Sequence, residues 1–70
     1  MISEIELEQG RPSAITVQTD DGPERILIDR DRDYGFDLGH LEEHRTQKLP
    51  VLVEVEDADG RTVASKIEDA

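Results

Sequence analysis

The chain has 70 residues, with 18 acidic against 8 basic side chains, no cysteine and a formal net charge of −10 at neutral pH. A chain of this length has room for one domain, and without cysteine neither a disulfide nor a thiolate-bound metal stabilises its core. The negative field repels phosphates and anionic lipids, which disfavours nucleic acids and membrane surfaces as partners.

The sequence contains few indications of where the protein is located or of the salinity of its host. The first ten residues contain neither a basic region nor an apolar run, so we expect no signal peptide. No apolar stretch approaches the ~20 residues that a membrane-spanning helix needs, and the absence of cysteine fits a cytoplasmic protein. Only Lys48 and Lys66 are lysines. Many acids with few lysines resemble proteins of salt-loving organisms, but a GC-rich genome that favours arginine produces the same composition.

The first half of the chain predicts three short β-strands, because its apolar residues alternate with polar ones. The predicted strands are residues 4–8, 13–19 and 24–29. Their inward positions are Ile5, Leu7, Ile15, Val17, Ile26 and Ile28. Ala14 and Leu27 fall on the opposite, outward face. Turn residues at 9–12 and 20–23 make an antiparallel meander the expected arrangement.

A short helix is predicted over residues 38–47. Asp37 suits the N-cap, where its carboxylate accepts a bond from a free backbone N–H. Phe36 and Leu41 occupy the positions of a hydrophobic staple, and Pro50 prevents the helix from continuing. Gly39 weakens the first turn.

Two further strands follow the helix, at residues 51–56 and 61–67, joined by a turn at 57–60. The inward positions predicted for them are Val51, Val53, Val55, Val63 and Ile67. Leu52 points outward, and residues 68–70 are expected to form a frayed tail.

The predicted order is therefore strand, strand, strand, helix, strand, strand. It resembles the OB-fold, a five-stranded Greek-key barrel with a helix between the third and fourth strands. The resemblance covers nearly the whole chain through element order and length, and no sequence motif carries it. An SH3-like barrel and an open antiparallel sheet with one helix are the alternatives.

The OB-fold resemblance implies an alternative function as an RNA- or single-strand-binding domain. Such sites need aromatic side chains for base stacking and a basic groove for the backbone. The candidate residues are Arg25, Arg30, Arg32, Tyr34 and Phe36. Asp29, Asp31 and Asp33 alternate with two of these arginines and cancel much of their positive field, so nucleic-acid binding is disfavoured.

Metal-binding patterns in the middle of the chain are incomplete. The alternating acids at 29, 31 and 33 start like a calcium loop, but its sixth position is Tyr34 and its twelfth is His40. Residues 40–44, HLEEH, satisfy the inverted zinc-protease pattern in five residues only. We therefore predict no metal and no cofactor, with Asp37, His40 and His44 as the weak candidates for ligands.

A non-enzymatic interaction module is the function that the sequence favours. No cysteine is present, and no motif places a base beside a serine. The residues expected to contact a protein partner or a second copy of the chain are Leu27, Arg30, Arg32, Tyr34 and Leu52. Leu27 and Leu52 interrupt the polar faces of their strands and so favour a small apolar contact surface.

Overall fold

A computed structural model describes residues 1–69 and shows a mainly β protein with one five-stranded sheet and one short helix. The elements are β1 (Ile2–Glu8), β2 (Arg11–Thr19), β3 (Gly22–Leu27), α1 (Leu38–Gln47), β4 (Val51–Ala58) and β5 (Arg61–Asp69). The predicted order of elements is confirmed, and the helix has the predicted bounds. Within residues 1–69, no helix is long and apolar enough to cross a membrane.

The sheet has the strand order β1-β2-β3-β5-β4. Antiparallel pairing joins β1 to β2 and β2 to β3, which confirms the predicted meander, and β4 and β5 form a second antiparallel hairpin. Within residues 1–69, a single parallel strand pair, Leu27 with Val63, connects these two halves. β1 and β4 stand at the two ends of the strand order, so the sheet is not closed into a barrel.

Two tight turns organise the hairpins. Gln9 and Gly10 link β1 to β2, and Asp59 and Gly60 link β4 to β5; all four residues have positive φ. Two consecutive positive-φ residues are the geometry of type I′ turns, whose twist matches that of the strands they connect. Asp-Gly is a favoured sequence for this turn, which is why the second hairpin could be located from sequence.

The core lies between one face of the sheet and α1. Its fully or nearly buried members are Ile2, Ile15, Val17, Ile26, Leu41, Ala64 and Ile67, and Phe36, Tyr34 and Val53 are among the residues that pack against it. Leu41 is the helical residue in this cluster. The helix therefore covers the apolar face that the strands leave open.

Two alanines are fully buried although the sequence did not predict either of them to be inward. Ala14, expected to point outward, is fully buried, because it stands in the ladder directly between Glu6 and Leu27, whose longer side chains flank its methyl group. Ala64 is also fully buried. It was not predicted as an inward residue, whereas its neighbour Val63 was and is only half-buried.

An irregularity in β5 explains why Ala64, and not its neighbour Val63, is fully buried. Glu54 pairs with Lys66 but Val55 pairs with Ala64, so Ser65 is an extra residue opposite β4. A β-bulge of this kind changes which face the following side chains occupy. The β1–β2 pairing is also irregular: Glu6 pairs with Ala14 but Leu7 pairs with Pro12, so Ser13 is an extra residue of β2. Leu7, predicted to face inward, is exposed.

Helix α1 begins as predicted. The Asp37 carboxylate accepts a hydrogen bond from the His40 backbone N–H at 2.8 Å, and Phe36 and Leu41 both join the core. The helix ends at Lys48, which takes the left-handed conformation while its N–H bonds to the His44 carbonyl. These local contacts fix both ends of a helix of 10 residues.

The predicted frayed tail is wrong for two of its three residues. Glu68 and Asp69 belong to β5, where they pair with Leu52 and Val51. Ala70 lies outside the described residues. The place of Asp69 in a paired strand brings its carboxylate to α1.

Candidate functional site

The segment between β3 and α1 is tied to the sheet by Tyr34 and Arg32. The Tyr34 hydroxyl donates to the Ala64 carbonyl at 2.7 Å and accepts from the Asp29 N–H at 3.0 Å. Arg32 Nη2 pairs with the Glu56 carboxylate at 3.0 Å. Tyr34 and Arg32, which were predicted to bind a partner, therefore form hydrogen bonds within the protein itself.

The arginines that were candidates for nucleic-acid binding are paired with acids. Arg25 forms a two-pronged pair with Glu6, with N···O distances of 2.6 and 3.0 Å, and Arg30 approaches Glu8 at 3.8 Å. The hydrogen bond and the opposite charge lower the pKa of Glu6 and raise the pKa of Arg25 from their ordinary values. These side chains consequently offer little uncompensated positive charge to a phosphate backbone.

An open cleft of about 310 Å³ lies beside the segment between β3 and α1. Arg30, Arg32, Tyr34 and Phe36 line it together with Arg11 at the start of β2. The side chains of Asp29 and Asp33 accept bonds from backbone N–H groups two residues further along the chain. Two of the acids that suggested a calcium loop thus stabilise local turns.

The five residues predicted to bind a partner fall in three places. Arg30, Arg32 and Tyr34 line the cleft described above, whereas half-buried Leu27 lies beside Val63 where the two halves of the sheet meet. Leu52 lies on β4 and is 52% exposed. Neither Leu27 nor Leu52 lines the cleft.

A groove of about 390 Å³ runs beside β4. We call it the β4 groove; its apolar lining consists of Met1, Val17, Ile26, Val51, Leu52, Val53 and Val55. Val17 and Ile26 are core residues and form the deep part, whereas Leu52 and Val55 are 52% and 45% exposed. The valines predicted to be buried on β4 therefore face a space that the described chain does not fill.

A second cluster joins α1 to the end of β5. His44 Nε2 lies 2.6 Å and His40 Nε2 lies 3.3 Å from Asp69 Oδ1. The Phe36 ring stacks on the His40 ring at 4.0 Å between centroids and contacts the tilted His44 ring at 5.4 Å. We call His40, His44 and Asp69 the histidine–aspartate cluster.

The sequence located only part of this cluster. His40 and His44 were the predicted pair, and the helical spacing of four residues does bring them to one face. Asp37, the third candidate ligand, caps the helix as predicted and is not part of the cluster. Asp69 was missed because it lies 25 residues beyond His44, and only the strand pairing shows where it lies. His44 is buried, with an exposed fraction of 2%.

Comparison of the chain with protein-family models, with curated proteins and with solved structures gives no match.

Proposed function

We propose that the protein is a non-enzymatic interaction module that binds an extended segment of a partner protein along the free edge of β4. The observation that carries this proposal is the β4 groove. This groove runs beside β4, a strand at the edge of the sheet, and its apolar lining includes the core residues Val17 and Ile26.

The backbone of β4 supports the proposal. β4 pairs with β5 on one side and is the last strand of the sheet on the other. An edge strand presents unpaired N–H and C=O groups that can bond to an added strand. Addition of a strand gives main-chain hydrogen bonds for affinity, and pockets for alternate side chains give specificity.

The side chains of the groove favour an apolar residue at alternate positions of the bound segment. Val53 is half-buried against the core, and Leu52 and Val55 are left exposed. A segment that covers them removes apolar surface from water, which contributes about 25 cal/mol per Å² of covered area. Hydrophobic contact in this groove therefore adds to the main-chain bonds.

Charge favours a basic partner segment over a second copy of the chain. β4 carries Glu54, Glu56 and Asp57, and the whole chain has a net charge of −10. Two copies paired through β4 would bring acidic strands side by side, and like charges directly opposite one another destabilise a strand pair. Lysines or arginines beside the apolar positions would instead match the acidic edge.

The same proposal extends the fold prediction. Closing this sheet into the OB-like barrel predicted from sequence requires β1 to pair with β4, the two strands at the ends of the order. We propose that the fold is an OB-like barrel left open at this seam, and that the partner segment pairs with β4 there. The opening is then the binding site.

A peptide titration tests the proposal. A strand-length peptide that alternates valine with lysine is added to the ¹⁵N-labelled protein, and backbone amide shifts are followed by NMR. We expect saturable shifts concentrated in β4. A matched peptide with glutamate in place of lysine should bind at least about tenfold more weakly, because it meets the acidic edge with like charge.

Leu52→Ser and Leu7→Ser form a matched pair of variants. Their side chains are similarly exposed, 52% and 51%, but Leu52 lines the β4 groove and Leu7 does not. Loss of the Leu52 contact should weaken the peptide about fivefold, from roughly 1 kcal/mol of apolar burial, whereas Leu7→Ser should leave affinity unchanged.

Four results would overturn the proposal: shifts confined to the Tyr34 cleft, equal weakening by both variants, a β4-mediated dimer in sedimentation, or salt-sensitive binding of single-stranded RNA in place of the peptide. The dimer would assign the edge to self-association. RNA binding would assign the protein to the nucleic-acid class that the OB-fold resemblance implies.

A further inference from the structure

We propose that the histidine–aspartate cluster is a binding site for Zn²⁺, with His40 Nε2, His44 Nε2 and an Asp69 carboxylate oxygen as its three protein ligands. The inference is independent of the β4 groove. It rests on the donor set, the distances between donors and the way in which α1 and β5 hold them.

The donor set is suited to zinc. Imidazole nitrogen and carboxylate oxygen are both ordinary zinc ligands, and three protein ligands with one open position is the usual composition of a solvent-accessible zinc site. Calcium and magnesium prefer sites made of oxygen atoms, so the two histidines select against them.

The distances require small movements. One ligand atom from each residue lies within 4.8 Å of the other two. Zinc bonds of ~2.0–2.1 Å place the ligands of one tetrahedral ion about 3.3 Å apart. The His40–Asp69 separation of 3.3 Å already has this value, and the His44–Asp69 contact of 2.6 Å has to lengthen. The Asp69 side chain is 65% exposed and has room to adjust.

Three features of the protein fix the positions of the two histidine rings. Their spacing on α1 fixes the separation of their Cα atoms. Phe36 packs on both rings, and the side chain of His44 is almost completely buried. The exposed Asp69 side leaves a path for the ion and a place for water as the fourth ligand. The site is therefore organised before the ion arrives.

One atom limits the affinity. His44 Nδ1 is buried and has no hydrogen-bond partner among residues 1–69. When Nε2 binds the ion, the ring proton sits on Nδ1, where zinc-bound histidines usually donate to an acceptor. Loss of such a supporting bond costs roughly 10–100-fold in metal affinity. We expect an affinity below that of zinc sites with full support, but tighter than about 1 mM.

The experiment titrates the untagged full chain with Zn²⁺ alone, by isothermal calorimetry and by NMR of the histidine rings. We expect saturable one-to-one binding that shifts the ring signals of His40 and His44. Because the ion joins α1 to β5, it should also raise the melting temperature, since a ligand that binds only the folded state stabilises it.

Three variants separate this site from general attraction of cations to an acidic surface. Asp69→Asn and His40→Ala each remove one ligand and should weaken Zn²⁺ at least about tenfold. Glu43→Gln is the control: it removes the same unit of negative charge as Asp69→Asn, from a position between the two histidines and outside the cluster. Its affinity should stay within about twofold of the parent.

The proposal is overturned if binding does not saturate, if Asp69→Asn and His40→Ala retain parental affinity, or if Glu43→Gln loses as much affinity as Asp69→Asn. His44 is left unchanged in all three variants because it is buried in the core, and its replacement threatens folding.

Discussion

At the scale of single residues, Glu6 and Arg25 show how an acidic chain uses its few basic side chains. Arg25 Nε and Nη2 each contact one Glu6 oxygen, so the pair reaches across β2 from β3 to β1. The contact is exposed, with side-chain exposures of 58% and 37%, and exposed pairs contribute little to stability. Its clearest consequence is electrostatic, because Arg25 lowers the pKa of Glu6.

We expect Arg25→Gln to raise the pKa of Glu6 towards its ordinary value, measured by NMR titration of the side-chain carboxyl carbon. The lowered folded-state pKa means that the pair stabilises the protein above the unfolded-state pKa of glutamate, and that this contribution is lost as the pH falls through the folded-state pKa. Arg61→Gln makes the same charge change on β5 and should leave the pKa of Glu6 unchanged. An unchanged Glu6 pKa in Arg25→Gln would contradict the assignment.

Residues that sequence placed wrongly have environments set by distant parts of the chain. The sequence around Ala14 does not predict that it is buried, because the residues that cover it, Glu6 and Leu27, belong to the two neighbouring strands. His44 has a polar ring that sequence reasoning assigns to the surface. It is buried because Asp69 meets one of its nitrogens while Phe36 contacts the ring. Asp69 itself looked like part of a tail.

At the scale of elements, α1 was predicted correctly because its signals are local. The cap, the staple and the stop at Pro50 all lie within a few residues of its ends. The faces of β5 were partly wrong because the bulge at Ser65 arises from pairing with β4, and alternation alone does not reveal an extra residue. The open seam of the sheet was likewise hidden, because each strand has a normal pattern.

The N-cap of α1 gives a prediction at this scale. Asp37→Ala removes the acceptor of the His40 N–H, and loss of an aspartate cap costs about 0.5–2 kcal/mol of unfolding free energy. The effect matters in a helix of 10 residues that contains Gly39. Urea denaturation measures it.

Asp31→Ala is the control for the cap. It removes the same charge from the segment that precedes α1, at an exposed position. We expect its free energy of unfolding to stay within about 0.5 kcal/mol of the parent. If the two variants lost equal stability, net charge rather than capping would explain the effect.

At the scale of the whole molecule, the net charge of −10 acts on stability through self-repulsion. Salt screens this repulsion, and at ~1 M the Debye length is about 3 Å. We expect the melting temperature to rise with potassium chloride; a gain of about 1 kcal/mol corresponds to roughly 4–8 °C for a chain of this size. Differential scanning calorimetry at increasing salt measures the rise.

A doubly substituted chain, Glu42→Gln with Glu43→Gln, separates screening from general salt effects. It changes the net charge from −10 to −8 on the exposed side of α1, so its salt-dependent gain should be smaller than that of the parent. A melting temperature that falls with salt, or equal gains in both chains, would argue against self-repulsion and against salt adaptation.

The single parallel contact between Leu27 and Val63 has a consequence for how the molecule forms. β1 to β3 and β4 to β5 are each built from neighbouring strands with tight turns, and such local hairpins form in about 1–10 μs. Docking the halves has to close the longer loop that contains α1, which costs more chain entropy. Tyr34 and Arg32 hold that loop to the second half through Ala64 and Glu56. We therefore expect the joint between the hairpins to assemble last and to separate first during partial unfolding.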